Sequence, residues 1–283
     1  MLYTLLKSLL RAAVWVFYKE IQVQGRELLP QKGPLLLAVN HPNTFMDPIV
    51  VALLLRQRTG FLANGGIFAN AFLKWIFARL HLIPVYRPQD VKVGEPIDNS
   101  KTFQKSADYL LKGGTIMIFP EGSSVNEMKL RKLKTGTARI ALETAARQHF
   151  TSGLLISPVS LTYSDPTRFH SRLYIGVGEP LAVDPYAAAY AADPVAAVQA
   201  LTEQLRMRLQ QNMLELDTRE EELLHRRISR LYREQLMQEG EPTGGEAPFG
   251  FSNRWPGPLP TIGSSCRKPM HASGRRPTAI LSW

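Results

Sequence analysis

Residues 34–48 read PLLLAVNHPNTFMDP and combine an apolar run with a histidine and an aspartate. The run from Pro34 to Val39 is apolar, has the length of a strand and ends at an Asn-His-Pro turn, which predicts a buried strand. His41 stands where that strand ends, and Asp47 follows six residues later, about where a helix begins. A rigidly held histidine can face a cleft, and such an aspartate can set its tautomer and stabilise its protonated form. A structural histidine that caps the turn is the alternative interpretation.

Further apolar runs of strand length alternate along the chain with stretches of helical periodicity. The predicted strands cover residues 82–86, 115–119, 154–161 and 172–177, and the predicted helices cover residues 48–56, 70–80, 99–111 and 137–148. This alternation predicts an α/β fold with a central mixed sheet flanked by helices.

A second chemically distinctive stretch, Phe-Pro-Glu-Gly-Ser-Ser at residues 119–124, follows the predicted strand 115–119. It should therefore lie at the carboxyl edge of the sheet, where open α/β sheets bind their ligands. Gly122 permits a close backbone approach, while Glu121 and the hydroxyls of the two serines can hydrogen-bond a polyol. An ordinary turn with a solvated glutamate is the alternative.

Two further observations concern the type of reaction. Arg87, at the end of the predicted strand 82–86, could meet a phosphate through its planar fork of donors, although an isolated arginine is more often a surface charge. The chain has no serine in a G-x-S-x-G elbow that would serve as a nucleophile. A His–Asp pair without an enzyme nucleophile suits the activation of a substrate hydroxyl.

The composition excludes several other classes of protein. The 283 residues carry 34 Lys and Arg against 24 Asp and Glu, and this net charge of +10 favours nucleic acids, anionic bilayers or phosphorylated substrates. A single cysteine, Cys266, rules out an internal disulfide framework and a multi-thiolate metal site. The six histidines show no H-E-x-x-H pairing, which argues against a metal-dependent hydrolase using His41, Asp47 and Glu121. The chain has no recognisable nucleic-acid reader motif, so nucleic acid is not an expected partner.

The N-terminal residues 1–18 have an amphipathic pattern. Apolar residues recur there at helical spacing, with Lys7 and Arg11 together on another side, which predicts a helix lying on an anionic membrane surface. A first helix packed on the protein's own core is the alternative. The apolar segment 66–80 is a second candidate membrane contact, and a helix of the protein core is the alternative. No stretch reaches the roughly 18 uninterrupted apolar residues of a spanning helix. We therefore expect a protein that is peripheral or monotopic on the cytoplasmic face of a membrane.

Beyond residue 183 the character of the chain changes. An Ala-rich linker leads into two helical patterns, at 195–216 and 218–237, and from residue 240 the sequence is rich in Gly, Pro, Ser and Arg. This last composition predicts a disordered tail, and a shifted reading frame is a second explanation of the abrupt change. We predict four segments, namely an N-terminal interfacial helix at 1–20, a main domain at 21–183, a helical appendage at 184–239 and the tail at 240–283.

Together these blocks resemble the glycerolipid acyltransferase superfamily, whose best-known members acylate glycerol-3-phosphate or lysophosphatidic acid. The resemblance covers about residues 21–183, which would be the acyltransferase domain. It rests on four blocks in the family's order, namely His41 to Asp47, Ile83 to Arg87, Phe119 to Ser123 and the Ile-Ser-Pro-Val-Ser run around Pro158. The run at 133–139, which contains Lys134, also looks like the family's Lys-x-Gly step into a helix.

The chain departs from the common pattern of this family in two places. Five residues separate His41 from Asp47, where the family most often has four. The longer spacing is similar to the branch that acylates glycerol-3-phosphate or dihydroxyacetone phosphate. Asn64 stands where relatives often carry a lysine, so Arg87 and Lys134 would take a larger part in holding phosphate.

The resemblance implies transfer of a fatty acyl group from acyl-CoA or acyl-carrier protein to a hydroxyl of glycerol-3-phosphate or dihydroxyacetone phosphate, in the synthesis of phosphatidic acid and phospholipids. Lysophosphatidic acid is the alternative acceptor, and a basic binding module without catalysis is a distant alternative. The implied mechanism needs no metal and no bound cofactor. In it, His41 takes the proton of the acceptor hydroxyl and Asp47 orients His41. The implied substrate-binding residues are Glu121, Gly122 and Ser123 for the glycerol portion and Arg87, Lys134 and Asn64 for the phosphate.

Overall fold

The structure is a computed structural model, and it describes residues 2–55, 59–64, 82–85 and 100–238. Four expectations from the sequence therefore lie outside the described residues. These are the helix predicted at 70–80, the membrane contact predicted at 66–80, the phosphate contact of Arg87 and the tail from residue 240.

The described chain forms helices and strands in alternation from its N-terminus. In chain order they are α1 (Leu2–Phe17), β1 (Tyr18–Gln24), β2 (Leu35–Val39), α2 (Met46–Leu54), β3 (Thr59–Asn64), β4 (Leu82–Val85), α3 (Ser100–Leu111), β5 (Thr115–Ile118), α4 (Gly136–Ala146), β6 (Leu155–Tyr163), β7 (Ser171–Val177), β8 (Leu181–Ala182), α5 (Ala187–Ala192), α6 (Pro194–Gln210) and α7 (Arg219–Gln238).

All eight of these strands belong to one sheet. Its order is β1-β7-β6-β2-β5-β3-β4, and β8 pairs with β6 off this path. Strands β6, β2, β5, β3 and β4 are parallel neighbours, whereas β7 and β8 are antiparallel to β6, and β1 is parallel to β7. The sheet is therefore mixed and flanked by helices, which confirms the fold class predicted from the sequence.

Strand β2 lies at the centre of the sheet and is buried along its whole length. Successive side chains of a strand point to opposite faces, so its residues contribute to two cores. Leu35, Leu37 and Val39 belong to the cluster that includes residues of α1 and α2, and Leu36 and Ala38 belong to the cluster that includes residues of α3, α4 and α6. Because helices cover both faces, this strand reads as a continuous apolar run rather than an alternating one.

Apart from the two-residue β8, two strands have no clear signal in the sequence. Residues 18–24 form β1 at one edge of the sheet, where the sequence predicts the end of a helix and a short connection. The sequence of β1, YKEIQVQ, is mostly polar because an edge strand buries only part of its surface. Strand β3 reads TGFLAN, and its Gly and Asn are poor strand formers. Its position between β5 and β4 is set by pairing with strands that are distant in sequence.

The C-terminal helices pack on the rest of the chain. Helix α6 buries Leu201, Leu205 and Leu209 in the core, and it ends at Gln210, six residues before the predicted end. Glu222 of α7 is buried and accepts a hydrogen bond from the backbone nitrogen of Met128. The division of the chain into four segments stays a prediction.

Helix α1 carries apolar residues on two of its faces. Val14 is buried, and Leu10 and Phe17 pack against the same core cluster. On other faces, Leu9 is 66% exposed and Val16 is 53% exposed. Across the part of the chain that the structure describes, no helix is long and apolar enough to span a bilayer.

Candidate active site

The turns that follow β2 and β5 meet at the carboxyl edge of the sheet. The two strands are adjacent and parallel, with Ala38 paired to Ile118, so both chains leave the sheet side by side. The backbone nitrogen of His41 donates to Oε1 of Glu121 over 2.9 Å. The carbonyl oxygen of His41 accepts from the backbone nitrogen of Val125 over 3.1 Å. The backbone of His41 is thus held on both sides by the segment after β5.

The side chains of His41 and Asp47 are in direct contact. Nδ1 of His41 lies 2.8 Å from Oδ2 of Asp47, and Asp47 is fully buried as the second residue of α2. The same oxygen accepts from the backbone nitrogen of Asn43 over 2.7 Å, and Oδ1 accepts from the hydroxyl of Tyr163 over 2.6 Å. Both carboxylate oxygens are therefore occupied by donors.

The electrostatics of this pair follow from its burial. Burial raises the pKa of Asp47, while hydrogen bonds from His41, Tyr163 and Asn43 act in the opposite direction by stabilising its charged form. An ionised carboxylate is an acceptor only, so when Asp47 is charged Nδ1 of His41 carries the proton that it donates to Asp47. The lone pair of Nε2 is then available to a substrate, and 13% of the histidine side chain is exposed.

An aromatic contact sets the plane of the imidazole ring. The ring of Phe119 stacks on that of His41 with centroids 3.8 Å apart and an interplanar angle of 15°. One residue earlier in the chain, Asn40 is buried and joins the ends of β2 and β6. Its side chain donates to the carbonyl oxygen of Leu161 over 3.0 Å and accepts from the nitrogen of Leu161 over 2.6 Å. The position of His41 is therefore determined by two strands as well as by the ring beside it.

The side chain of Asn43 organises the turn between His41 and Asp47. Its Oδ1 accepts from the backbone nitrogens of Phe45 and Met46, each over 3.2 Å, at the start of α2. Its Nδ2 donates to the carbonyl oxygen of Pro166 over 2.6 Å, in the connection between β6 and β7. These contacts account for how five intervening residues still bring the carboxylate of Asp47 back to the imidazole.

Glu121 is buried and lies between two backbone segments. Besides the bond from His41, its Oε2 accepts from the backbone nitrogen of Arg131 over 3.4 Å. Burial raises the pKa of Glu121, and the hydrogen bonds from His41 and Arg131 oppose that rise. The carboxylate thus ties the turn after β2 to the segment before α4, and its predicted contact with the glycerol portion of a substrate stays a prediction.

Two cations lie beside the predicted Glu-Gly-Ser block. Nη1 of Arg131 donates to Oγ of Ser123 over 2.7 Å. Gly122 has a φ of +74°, and a Cβ added there would lie 2.7 Å from Nζ of Lys134, so the lysine side chain occupies the space over this glycine. Arg131 and Lys134 are both exposed, and among the described residues neither forms an ion pair with a carboxylate. We refer to Arg131 and Lys134 as the cationic rim.

The structure thus brings together most of the residues singled out from the sequence. His41, Asp47, Glu121, Gly122, Ser123 and Lys134 lie in one region at the carboxyl edge. Asn64 is the last residue of β3, but its side chain is not among those described, and Arg87 also lies outside the described residues. Among described His, Cys, Asp and Glu side chains, no group of three or more could hold a metal ion.

Four residues of the site were not singled out from the sequence for these roles, namely Asn43, Phe119, Arg131 and Tyr163. Tyr163 could have been found, because it ends a strand and therefore lies at the same edge as His41. Arg131 belongs to the basic run Lys-Leu-Arg-Lys-Leu-Lys at 129–134, which is a visible signal without a specific meaning. The roles of Asn43 and Phe119 depend on contacts that no local pattern indicates.

Comparison with known proteins finds similarity over the part of the chain that contains the candidate active site. Residues 20–162, just over half of the chain, match the family described as Acyltransferase. An uncharacterized acyltransferase of Schizosaccharomyces pombe is 25% identical over 250 residues, which covers 59% of this chain and 37% of that protein. Glycerol-3-phosphate O-acyltransferase 2 of Saccharomyces cerevisiae is 39% identical over 93 residues, 33% of this chain and 12% of that protein.

A third relative is named for a different acceptor. The chloroplastic 1-acyl-sn-glycerol-3-phosphate acyltransferase LPAT1 of Arabidopsis thaliana is 25% identical over 149 residues, 53% of this chain and 37% of that protein. The chain therefore aligns with less than two fifths of the length of each of these three relatives.

Proposed function

We propose that this chain, which belongs to the acyltransferase family, transfers a fatty acyl group from a thioester to a hydroxyl of glycerol-3-phosphate or dihydroxyacetone phosphate. The thioester would be acyl-CoA or acyl-carrier protein, and the product would enter phosphatidic acid and phospholipid synthesis. The observation that carries the proposal is the 2.8 Å contact between Nδ1 of His41 and the buried carboxylate of Asp47 at the carboxyl edge of β2.

In the proposed first step, the acceptor hydroxyl attacks the carbonyl carbon of the thioester. Nε2 of His41 takes the hydroxyl proton as the new C–O bond forms, and the carbonyl oxygen becomes an oxyanion. The charged carboxylate of Asp47 stabilises the imidazolium that results. In the second step the tetrahedral intermediate collapses and the C–S bond breaks. The departing sulfur takes the proton from Nε2, which releases a thiol and restores neutral His41.

The cationic rim is the proposed contact for the acceptor phosphate. Arg131 and Lys134 present positive charge next to Glu121, which is hydrogen-bonded to the backbone of His41. A guanidinium matches the geometry of phosphate oxygens, and an ammonium contributes a point charge. Arg87 and Asn64 remain proposed phosphate contacts from the family resemblance, and Gly122 and Ser123 remain proposed contacts for the glycerol portion.

The choice of acceptor is supported by the sequence of the catalytic turn. Five residues between His41 and Asp47 are similar to the branch that acylates glycerol-3-phosphate or dihydroxyacetone phosphate, and a yeast relative named for glycerol-3-phosphate is 39% identical over 93 residues. Lysophosphatidic acid is the second candidate acceptor, since LPAT1 of Arabidopsis thaliana aligns over 53% of the chain. Both candidates share the glycerol-phosphate chemistry for which the cationic rim is suited.

The outward face of α1 is the proposed contact with an anionic membrane surface. Leu9 and Val16 expose apolar side chains, while the inward face of the same helix packs on the core. Lys7 donates to the carbonyl oxygen of Leu55, so Arg11 is the exposed basic residue of this helix. A helix with an apolar outward stripe and a basic residue beside it fits the interface of a bilayer, where an acylated product can be released. We propose a peripheral or monotopic protein on the cytoplasmic face, where its thioester donors would be available.

The experiment that tests the proposed reaction is an acyl-transfer assay with glycerol-3-phosphate, dihydroxyacetone phosphate and lysophosphatidic acid offered in parallel, each with acyl-CoA and with acyl-carrier protein. We expect the highest kcat/KM with one of the first two acceptors. The His41→Ala variant should lose about 10²- to 10⁴-fold in kcat, because general base catalysis contributes that much. His225→Ala, a histidine of α7 outside the site, is the matched control and should remain like wild type.

Two outcomes of this assay would count against the proposal. Wild-type turnover by His41→Ala would contradict the role of the histidine. A preference for lysophosphatidic acid over both smaller acceptors would replace the proposed acceptor with the second candidate.

A further inference from the structure

We propose that Tyr163 is a positioning residue for catalysis, which holds the carboxylate of Asp47 in the orientation and the charged state that His41 requires. This inference rests on the proposed function, because it assigns a role within the same catalytic pair. Tyr163 lies one residue beyond the stretch 20–162 that matches the family.

The geometry around Asp47 gives Tyr163 a distinct part in the site. Tyr163 is the last residue of β6 and is 3% exposed. Its hydroxyl donates over 2.6 Å to Oδ1 of Asp47, the oxygen that does not contact His41. The other oxygen, Oδ2, accepts from His41 and from the backbone nitrogen of Asn43. Donors on both oxygens therefore define the plane of the carboxylate.

The phenol supplies two effects that a residue of the same shape without a hydroxyl would lack. A carboxylate with donors on one oxygen alone can rotate about its Cβ–Cγ bond, which would move Oδ2 away from Nδ1 of His41. The phenol also stabilises the charged form of Asp47 and so lowers its pKa, against burial, which raises it. A protonated Asp47 could not stabilise the imidazolium that forms when His41 takes the substrate proton.

The surroundings keep the phenol of Tyr163 in its donating form. Burial raises the pKa of Tyr163 well above its ordinary value, and the charge of Asp47 adds to that rise. Tyr18, the first residue of β1, packs against Tyr163 with ring centroids 6.0 Å apart, and burial raises its pKa as well. Among the residues that the structure describes, the titratable groups that face Asp47 are thus His41, Tyr163 and Tyr18, and Glu121 faces His41 from the opposite segment.

The first test compares Tyr163→Phe with Tyr174→Phe, a matched control on β7 whose hydroxyl donates to Gln24 instead. Tyr163→Phe should lower kcat roughly 10- to 100-fold, as expected for loss of a hydrogen bond to a charged group, with KM for the acceptor within about twofold of wild type. The acid limb of its pH–rate profile should move to higher pH, because Asp47 without the phenol takes up a proton more readily. Wild-type kcat and an unmoved acid limb in Tyr163→Phe would overturn the proposal.

A second variant covers the case in which Tyr163→Phe does not fold. Site-specific incorporation of 3-fluorotyrosine at position 163 keeps the ring and the hydroxyl but makes the phenol a stronger donor. The acid limb should then move to lower pH, opposite to the Phe variant. An acid limb that stays in place or moves to higher pH would contradict the role of the hydroxyl.

A measurement without turnover separates this inference from the proposed function. The protonation of Asp47 can be followed by ¹³C NMR of labelled aspartate, with the signal assigned through Asp47→Asn. Its midpoint should lie at higher pH in the variant that lacks the phenol than in wild type. If wild type transfers no acyl group to any acceptor, the proposed function fails, and this midpoint still decides the role of Tyr163. An identical midpoint in both proteins would overturn the inference.

Discussion

The buried interior of the candidate site and the exposed cationic rim differ in how many hydrogen bonds hold their charged side chains. In the interior, Asp47 is fully buried, and its carboxylate accepts from His41, Asn43 and Tyr163. In the cationic rim, Arg131 and Lys134 are exposed, and the side chain of Arg131 donates to the hydroxyl of Ser123. The side chains of His41 and Asp47 are therefore oriented by the protein itself, whereas the positive charges of the cationic rim are solvated by water.

This difference indicates which kinetic constant each region controls. Buried groups that are already oriented toward a reacting atom stabilise charge as it develops, so they affect kcat. Exposed cations attract an anionic substrate equally in its ground and transition states, so they affect KM and depend on ionic strength. Substitutions in the interior should therefore change kcat, and substitutions in the cationic rim should change KM.

Asp47→Asn should give the largest effect on kcat outside the histidine itself. An amide cannot serve as a charged acceptor for Nδ1 of His41, so the required tautomer and the stabilised imidazolium are both lost. Because Asp47 acts through His41, we expect a decrease of about 10²- to 10³-fold, within the range that general base catalysis contributes. Steady-state kinetics would measure it, with KM for the acceptor changing little. Asp193→Asn is the matched control, because Asp193 caps α6 through the nitrogens of Val195 and Ala196, and Asn is equally good at that position. A kcat within tenfold of wild type for Asp47→Asn would contradict the proposed role of Asp47 in orienting His41.

Loss of the cationic rim should give an intermediate effect, on binding. The double variant Arg131→Ala/Lys134→Ala should raise KM for glycerol-3-phosphate about tenfold while kcat changes less than about threefold, because exposed charges are screened by water. The dependence of KM on salt should also become weaker than in wild type. Lys129→Ala is the control, since Lys129 lies in the same basic run but pairs with Asp217 over 2.9 Å. A fall in kcat with unchanged KM would instead indicate that these cations stabilise charge in the transition state, as the buried groups do.

The outward face of α1 should give the smallest effect, and on membrane binding alone. Leu9→Ser should lower recovery of the protein with anionic vesicles in a flotation assay about fivefold, because a single exposed apolar side chain would leave the bilayer interface. The control is Leu224→Ser on α7, a leucine exposed to a similar degree. Turnover on a soluble acceptor should be unaffected. Equal flotation of Leu9→Ser and wild type would contradict the proposed membrane contact through Leu9.

Much of the central sheet could be predicted because its signals are local. Strands β2, β5 and β6 are apolar runs, each bounded by turn residues, and the rule that ligands bind at the carboxyl edge then connects His41 with Glu121. Strands β1 and β3 could not be predicted in the same way. Their sequences bury little apolar surface or contain Gly and Asn, and their places depend on which strands lie beside them.

Within the candidate site, too, contacts between residues near in sequence could be predicted and contacts between distant residues could not. The contact between His41 and Asp47 spans six residues, so turn residues and the start of a helix were enough to indicate it. The contact between Tyr163 and Asp47 spans 116 residues, and that between Asn40 and Leu161 spans 121. No pattern within a short window of sequence can report such pairs.

The sequence is enough to establish the α/β class, the buried central strands and the spacing of the histidine and aspartate, because apolar runs and turn residues act over a few neighbours. The three-dimensional structure is needed to see that Tyr163 donates to the carboxylate of Asp47, that Glu121 accepts from the backbone nitrogen of His41 and that Arg131 lies beside Ser123. Those contacts depend on the order and register of the strands. Strand order is set by the burial of both faces of the sheet at once, and this is a property of the whole chain rather than of any one segment.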